Sequence, residues 1–190
     1  MPTACREAIQ KWEAKENQVA AEAEKVMLYA QIPFIEKMDD SLNQLEACQH
    51  LGLSTNDIEK IYPLPKLKNL KILSLARNRI RKINNLDEVS NTLEELWLSY
   101  NLIDRLDGLQ PCQNLRVLYI ACNRIKTLEE VQRLSNLSNL TKLVLMGNPL
   151  YGDKPREEMA PYVYKRVQQL TEIDTKPVTG AIRRAAESLD

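Results

Sequence analysis

The chain has 190 residues, enough to bury one sizeable core or to build one capped repeat array. Its 26 Lys and Arg balance 26 Asp and Glu, which excludes a general attraction to nucleic acid or anionic membrane and leaves electrostatic preference to local patches. Five glycines and a single histidine, His50, speak against phosphate-cradling loops and imidazole-based catalysis.

Residues 3–16 predict an amphipathic helix, with Thr3 as its N-cap and Cys5, Ile9 and Trp12 on one face. The early charges Arg6, Glu7 and Lys11 interrupt any apolar run, so no signal peptide or membrane span is expected. Val19, Ala23, Val26, Met27 and Ala30 suggest a second helix, stopped by Pro33. A third is expected near Asp39 or Asp40, burying Leu42 and Leu45.

From Cys48 one pattern recurs five times: CQHLGLSTNDI, LKILSLARNRI, LEELWLSYNLI, LRVLYIACNRI and LTKLVLMGNPL, at a period of 22 to 25 residues. It reads L-x-x-L-x-L-x-x-N, in which leucines point inward from a short strand and the asparagine closes the turn. Asn56, Asn78, Asn101, Asn123 and Asn148 are therefore expected to stack as a buried ladder, bonding backbone groups that would otherwise lack partners. Behind each turn apolar residues follow in steps of three, as in Ile80, Ile83, Leu86 and Val89, which suits a 3₁₀-like back. Cys48 and Cys112 fall on inward positions, and the four cysteines read as reduced thiols.

After Gly147, Asn148 and Pro149 the segment YVYKRVQQLTEID predicts a capping helix with Val163, Val167 and Leu170 against the last coil. The expected fold is α/β: a leucine-rich repeat solenoid of the 22-residue class, with a parallel sheet on one face, a short helical or 3₁₀ back and helical caps at both ends. Its parts are a cap at 1–46, repeats at 47–150, a second cap at 151–178 and a flexible tail at 179–190, read as a frayed helix starting after Gly180.

No Ser, His and Asp set, metal-ligand spacing or nucleotide fingerprint is present, and carboxylate pairs such as Glu94 and Glu95 sit where solvated repeat edges carry charge. Binding is the expected class, with no enzyme activity, cofactor or metal. Counting back from each asparagine puts Trp97, Tyr100, Val117, Tyr119, Val144 and Met146 together on the sheet face, rimmed by Arg77, Glu95 and Lys142. Aromatic centres with charged rims match the make-up of protein-binding hot spots. Three aromatics burying about 150 Å² each would contribute about 11 kcal/mol before the cost of association. In the tail, Arg183 and Arg184 suit a second contact with an acidic surface such as tubulin.

The run from Ile32 to Ile61, IPFIEKMDDSLNQLEACQHLGLSTNDIEKI, with KILSLARNRI and TLEELWLSYNLI, resembles the leucine-rich repeat light chain 1 family of axonemal outer-arm dynein over nearly the whole chain. Phe34, where a second proline is commoner, and the short tail depart from it. The resemblance implies a non-catalytic subunit in the cytoplasm and the axoneme of the cilium or flagellum. It would hold the gamma-type dynein heavy chain near its microtubule-binding stalk tip through the apolar face, on Trp97, Tyr100, Tyr119 and Met146. Arg183 and Arg184 would fall in the family's projecting segment, which is linked to tubulin or motor contacts. The repeat period also resembles the leucine-rich regulatory subunit of protein phosphatase 1, which has about twice as many repeats, and the A-prime adaptor of a spliceosomal particle.

Overall fold

The computed structural model describes residues 2–189. One eight-stranded sheet follows chain order: β1 (Lys25–Met27), β2 (His50–Gly52), β3 (Ile72–Ser74), β4 (Glu95–Trp97), β5 (Val117–Tyr119), β6 (Lys142–Val144), β7 (Glu172–Ile173) and β8 (Lys176–Pro177). Strands β1 to β7 pair in parallel and β8 returns antiparallel on β7. The register aligns Val26, Leu51, Leu73, Leu96, Leu118 and Leu143 in one inward row, all fully buried. Each such side chain contributes about 2 kcal/mol of gross burial.

The asparagine ladder supplies what such short strands cannot. Asn101 Oδ1 accepts from Ile80 N (2.9 Å), and its Nδ2 donates to Leu98 O in its own coil (3.1 Å) and Leu75 O in the preceding one (2.9 Å). Asn56, Asn78, Asn123 and Asn148 repeat this bonding one coil apart. The residue before each ladder position is left-handed: Thr55, Arg77, Tyr100, Cys122 and Gly147 have φ between 52° and 75°. Only Gly147 adopts this without a Cβ penalty, so the ladder bonds hold the other four there. A second row, which the sequence pattern did not reveal, lies outside the strands' other ends: Asn69, Asn114 and Asn139 donate to Glu46 O, Asn91 O and Gln113 O of the preceding coils at 3.1, 2.7 and 2.8 Å.

Helix α1 (Cys5–Glu16) covers the amino-terminal end of the core with Cys5, Ala8, Ile9 and Trp12. Thr3 does not cap it. The Thr3 hydroxyl donates to Pro33 O and its N–H to Phe34 O (3.2 Å), tying the first turn to the helix start. The helix expected from Val19 to Ala30 is absent, and β1 stands in its place. Ala23, Val26 and Leu28 are buried at the spacing of Leu93, Leu96 and Leu98, so this is a further coil, with alanine in the first leucine position. Its turn is longer than the others. Ile35, four residues past Gln31, gives its N–H to Asn56, as Ile58, two residues past Asn56, gives its own to Asn78.

The third expected helix is a 3₁₀ turn, Asp40–Gln44, begun by Asp39 accepting from Ser41 N (2.9 Å). On the back, 3₁₀ turns at Asp87–Val89 and Arg133–Asn136 accompany one short helix, α2 (Leu128–Gln132). The cap helix α3 (Arg156–Arg166) starts and ends earlier than expected. Val167 and Leu170 are buried beyond it, and Ile173 forms β7. The tail read as a frayed helix is helix α4 (Gly180–Glu187), begun by the Thr179 hydroxyl accepting from Ile182 N and packed on α3 through Ile182 and Ala186 rather than frayed. One buried apolar side per turn suffices to dock it, which tail position and overall polarity concealed.

Asp174 closes the carboxy-terminal end of the ladder. It is buried, its Oδ1 accepts from Leu145 N (2.7 Å) and Met146 N (2.9 Å), and the Tyr151 hydroxyl donates to its Oδ2. Burial, then the adjoining carboxylate, raise the pKa of that hydroxyl, so Tyr151 stays protonated and donating.

Candidate partner-binding face

The outward side chains form rows across the sheet. The register sets His50, Ile72, Glu95, Val117 and Lys142 side by side in one row and Gly52, Ser74, Trp97, Tyr119 and Val144 in the next. Neighbours in a row stand about 4.8 Å apart. Trp97 and Tyr119 therefore stack, with ring centroids 5.8 Å apart and planes 28° apart. Trp97 Nε1 donates to Glu95 Oε2 (3.0 Å) on the same face, which fixes the indole. Arg77 sets its guanidinium 4.4 Å over the Tyr100 ring. Lys142 pairs with Glu172 at 3.5 Å.

Trp97, Tyr119, Val144 and Glu95 are partly exposed, Arg77 is exposed, and Tyr100 and Met146 stand 49% and 47% exposed. None of α1 to α4 seals the aromatic pair. Val117 is a correction: it is only 9% exposed, a short β-branched side chain between the longer Glu95 and Lys142 on the flanking strands. The face thus has a stacked, half-covered centre and an exposed arc at Tyr100 and Met146, so less aromatic area remains to be buried than full display would give. Met146 is pinned through its backbone by Asp174.

His50 also lies on this face, where counting back six residues from Asn56 places it, and its contact with Trp97 is what the sequence did not disclose. Its ring meets Trp97 edge-on at 5.6 Å and 72°, reaching across because Ser74, in register with Trp97, is small. His50 Nε2 lies 3.4 Å from Ser74 Oγ. Burial, then the charge of Lys25, lower its pKa against an opposing effect of Glu95, so it is neutral at pH 7. Arg183 and Arg184 lie apart on α4, exposed, with the Arg183 guanidinium 5.8 Å over Tyr164 of α3.

No disulfide joins the four cysteines. Burial, then Asp39, push Cys5 up to about 12; burial, and for Cys112 also Asp87, push Cys48 and Cys112 up to about 11. Such thiols are unreactive near neutral pH. Among the described residues no group of three or more His, Cys, Asp or Glu side chains is arranged to hold a metal ion. The geometry offers what a polypeptide partner needs: a rigid floor, a fixed aromatic centre, and charge at the rim.

A leucine-rich repeat family profile matches residues 6–122. The chain is 55% identical over 180 residues to dynein axonemal light chain 1 of Chlamydomonas reinhardtii, covering 93% of this chain and 91% of that one. It is 54% identical over 177 residues to dynein axonemal light chain 1 of Homo sapiens, covering 93% of each. Among solved structures, a chain of the Drosophila melanogaster SNF/U2A' complex aligns over 98% of this chain and 91% of its own length, with a TM-score of 0.58 at 22% identity, a likeness of fold alone.

Proposed function

The chain belongs to the dynein axonemal light chain 1 family of leucine-rich repeat proteins, and on that premise we propose that it is a non-catalytic subunit of the outer dynein arm in the axoneme of cilia or flagella. Its outward sheet face holds the gamma-type heavy chain near the microtubule-binding domain at the stalk tip. Trp97 and Tyr119 form the centre of that contact, with Val117 and Val144 as floor, Tyr100 and Met146 as exposed anchors, and Arg77 and Glu95 as polar rim. The observation that carries this reading is the stacked Trp97–Tyr119 pair, held in place and left partly open to solvent on an outward sheet face that none of α1 to α4 seals.

A stiff wedge at a stalk tip modulates microtubule affinity only by binding one heavy-chain conformation more tightly than another. Arg183 and Arg184 on α4 offer tubulin a second, cationic contact away from the outward sheet face. The reading is tested by capture of a purified heavy-chain stalk fragment on the immobilised chain, with Trp97→Ala/Tyr119→Ala as the deficient variant and Arg183→Gln/Arg184→Gln as one that retains the fragment. A chain that ignores the stalk fragment and retains protein phosphatase 1 or a ribonucleoprotein subunit overturns it.

A further inference from the structure

The two lateral edges of the sheet end differently. At the carboxy-terminal edge β8 folds back on β7 and is only Lys176 and Pro177, and Pro177 has no N–H to offer a newcomer. At the other edge β1 pairs with β2 alone. Leu28 N donates to Gly52 O (2.6 Å), Ala30 N to Ser54 O (3.1 Å), and Glu24 O accepts from His50 N (2.9 Å), so alternate residues face β2. The alternation turns the backbone groups of Lys25 and Met27 outward, and among the described residues these find no backbone partner.

Gln31 Nε2 donates to Tyr29 O (3.2 Å), so the open groups are those of Lys25 and Met27. Met27 leans over β2 into the space above Gly52, where an added Cβ would lie 2.5 Å from its Sδ. Just beyond the strand Tyr29 is 53% exposed, and Ile32 and Phe34, 85% and 48% exposed, line one hollow with Pro33, more apolar surface in a short stretch than scattered single residues make.

We propose that the open edge of β1 is a docking site for an extended segment of another protein, which adds a parallel strand and seats an apolar side chain on Tyr29, Ile32 and Phe34. Only an extended backbone matches the outward N–H and C=O groups, because a helix has spent its own internally. Lys25 at the start of the strand favours an acidic residue in the incoming segment, and the apolar cluster at the far end favours an aromatic or aliphatic one. A second copy of this chain pairing about a twofold axis would put the two apolar clusters at opposite ends of the strand pair, where neither covers the other. This site is the lateral edge of the same sheet, with Lys25 in register with His50, and does not depend on the dynein reading.

The test uses the full chain, labelled with ¹⁵N, titrated with the peptide acetyl-SEVTVYS-amide and with the same peptide N-methylated at alternate residues so that one edge cannot bond. The expected result is saturable shifts of the Lys25, Met27 and Tyr29 amides, slower hydrogen exchange at Met27, and binding weakened at least about tenfold by N-methylation. Met27→Pro removes the outward N–H, together with the side chain over Gly52, and abolishes the shifts at Lys25 and Tyr29. Should that variant misfold, the N-methylated peptide decides the matter on the native chain. Equal binding of the two peptides, shifts centred on Trp97 and Tyr119, or no shift at millimolar peptide would overturn the proposal.

Discussion

Two sets of positions run the length of the solenoid. Along the ladder the same residue recurs, Asn56, Asn78, Asn101, Asn123 and Asn148, because each coil presents it with the same unpaired backbone groups. Along the outward row the residue changes at every coil: Gly52, Ser74, Trp97, Tyr119, Val144. Backbone demand is periodic and fixes the ladder; a partner's surface is not periodic, and the row that would meet it varies. Repetition therefore marks what holds the chain up, and variation marks what it displays.

The sharpest way to break this contrast is at the ladder. Asn101→Leu leaves Ile80 N and the carbonyls of Leu75 and Leu98 without their partner, and chemical denaturation is expected to show a loss of about 3 kcal/mol. A midpoint within error of the wild type would show that the ladder is ornamental.

Asp174→Ala should cost about 2 kcal/mol by stranding Leu145 N and Met146 N. Asp174→Asn keeps the acceptor and most of the stability. Equal losses in both would mean that charge, not hydrogen bonding, closes the ladder.

Gly147→Ala tests the turn row: φ of 75° and a Cβ 2.7 Å from Cys122 Sγ predict a loss of about 1 kcal/mol by thermal melting. No loss would mean that the turn relaxes freely.

The smallest effect belongs to His50. Its folded pKa lies below its unfolded value of 6.5, so the unfolded chain binds the proton first. Stability is present above that value and is lost as pH falls below it towards the lowered folded pKa. His50→Gln should flatten this slope in urea titrations at each pH, and an unchanged slope would assign the acid sensitivity to carboxylates.

The same contrast explains what could be read from the sequence. Five coils were legible because Leu and Asn recur at fixed spacing. The first coil was not, since Ala23 stands for leucine, Gln31 for asparagine, and the turn is two residues longer, which leaves Val26 and Met27 looking helical. The outward positions of Trp97, Tyr100, Tyr119 and Met146 followed from counting alone. Their contacts did not: that Val117 sinks between Glu95 and Lys142, or that His50 reaches Trp97 over Ser74, depends on the sizes of neighbours one and two strands away. The docking of α4 on α3 likewise needed Tyr164, Ile182 and Ala186 in three dimensions.

The account rests on the outward row meeting the heavy chain, and calorimetric affinity for a purified stalk fragment measures that directly. Trp97→Ala/Tyr119→Ala is expected to weaken binding at least about thirtyfold while costing only about 1 kcal/mol of fold stability, the worth of one aromatic pair. Wild-type affinity in that double variant, with the fold intact by circular dichroism, would contradict it.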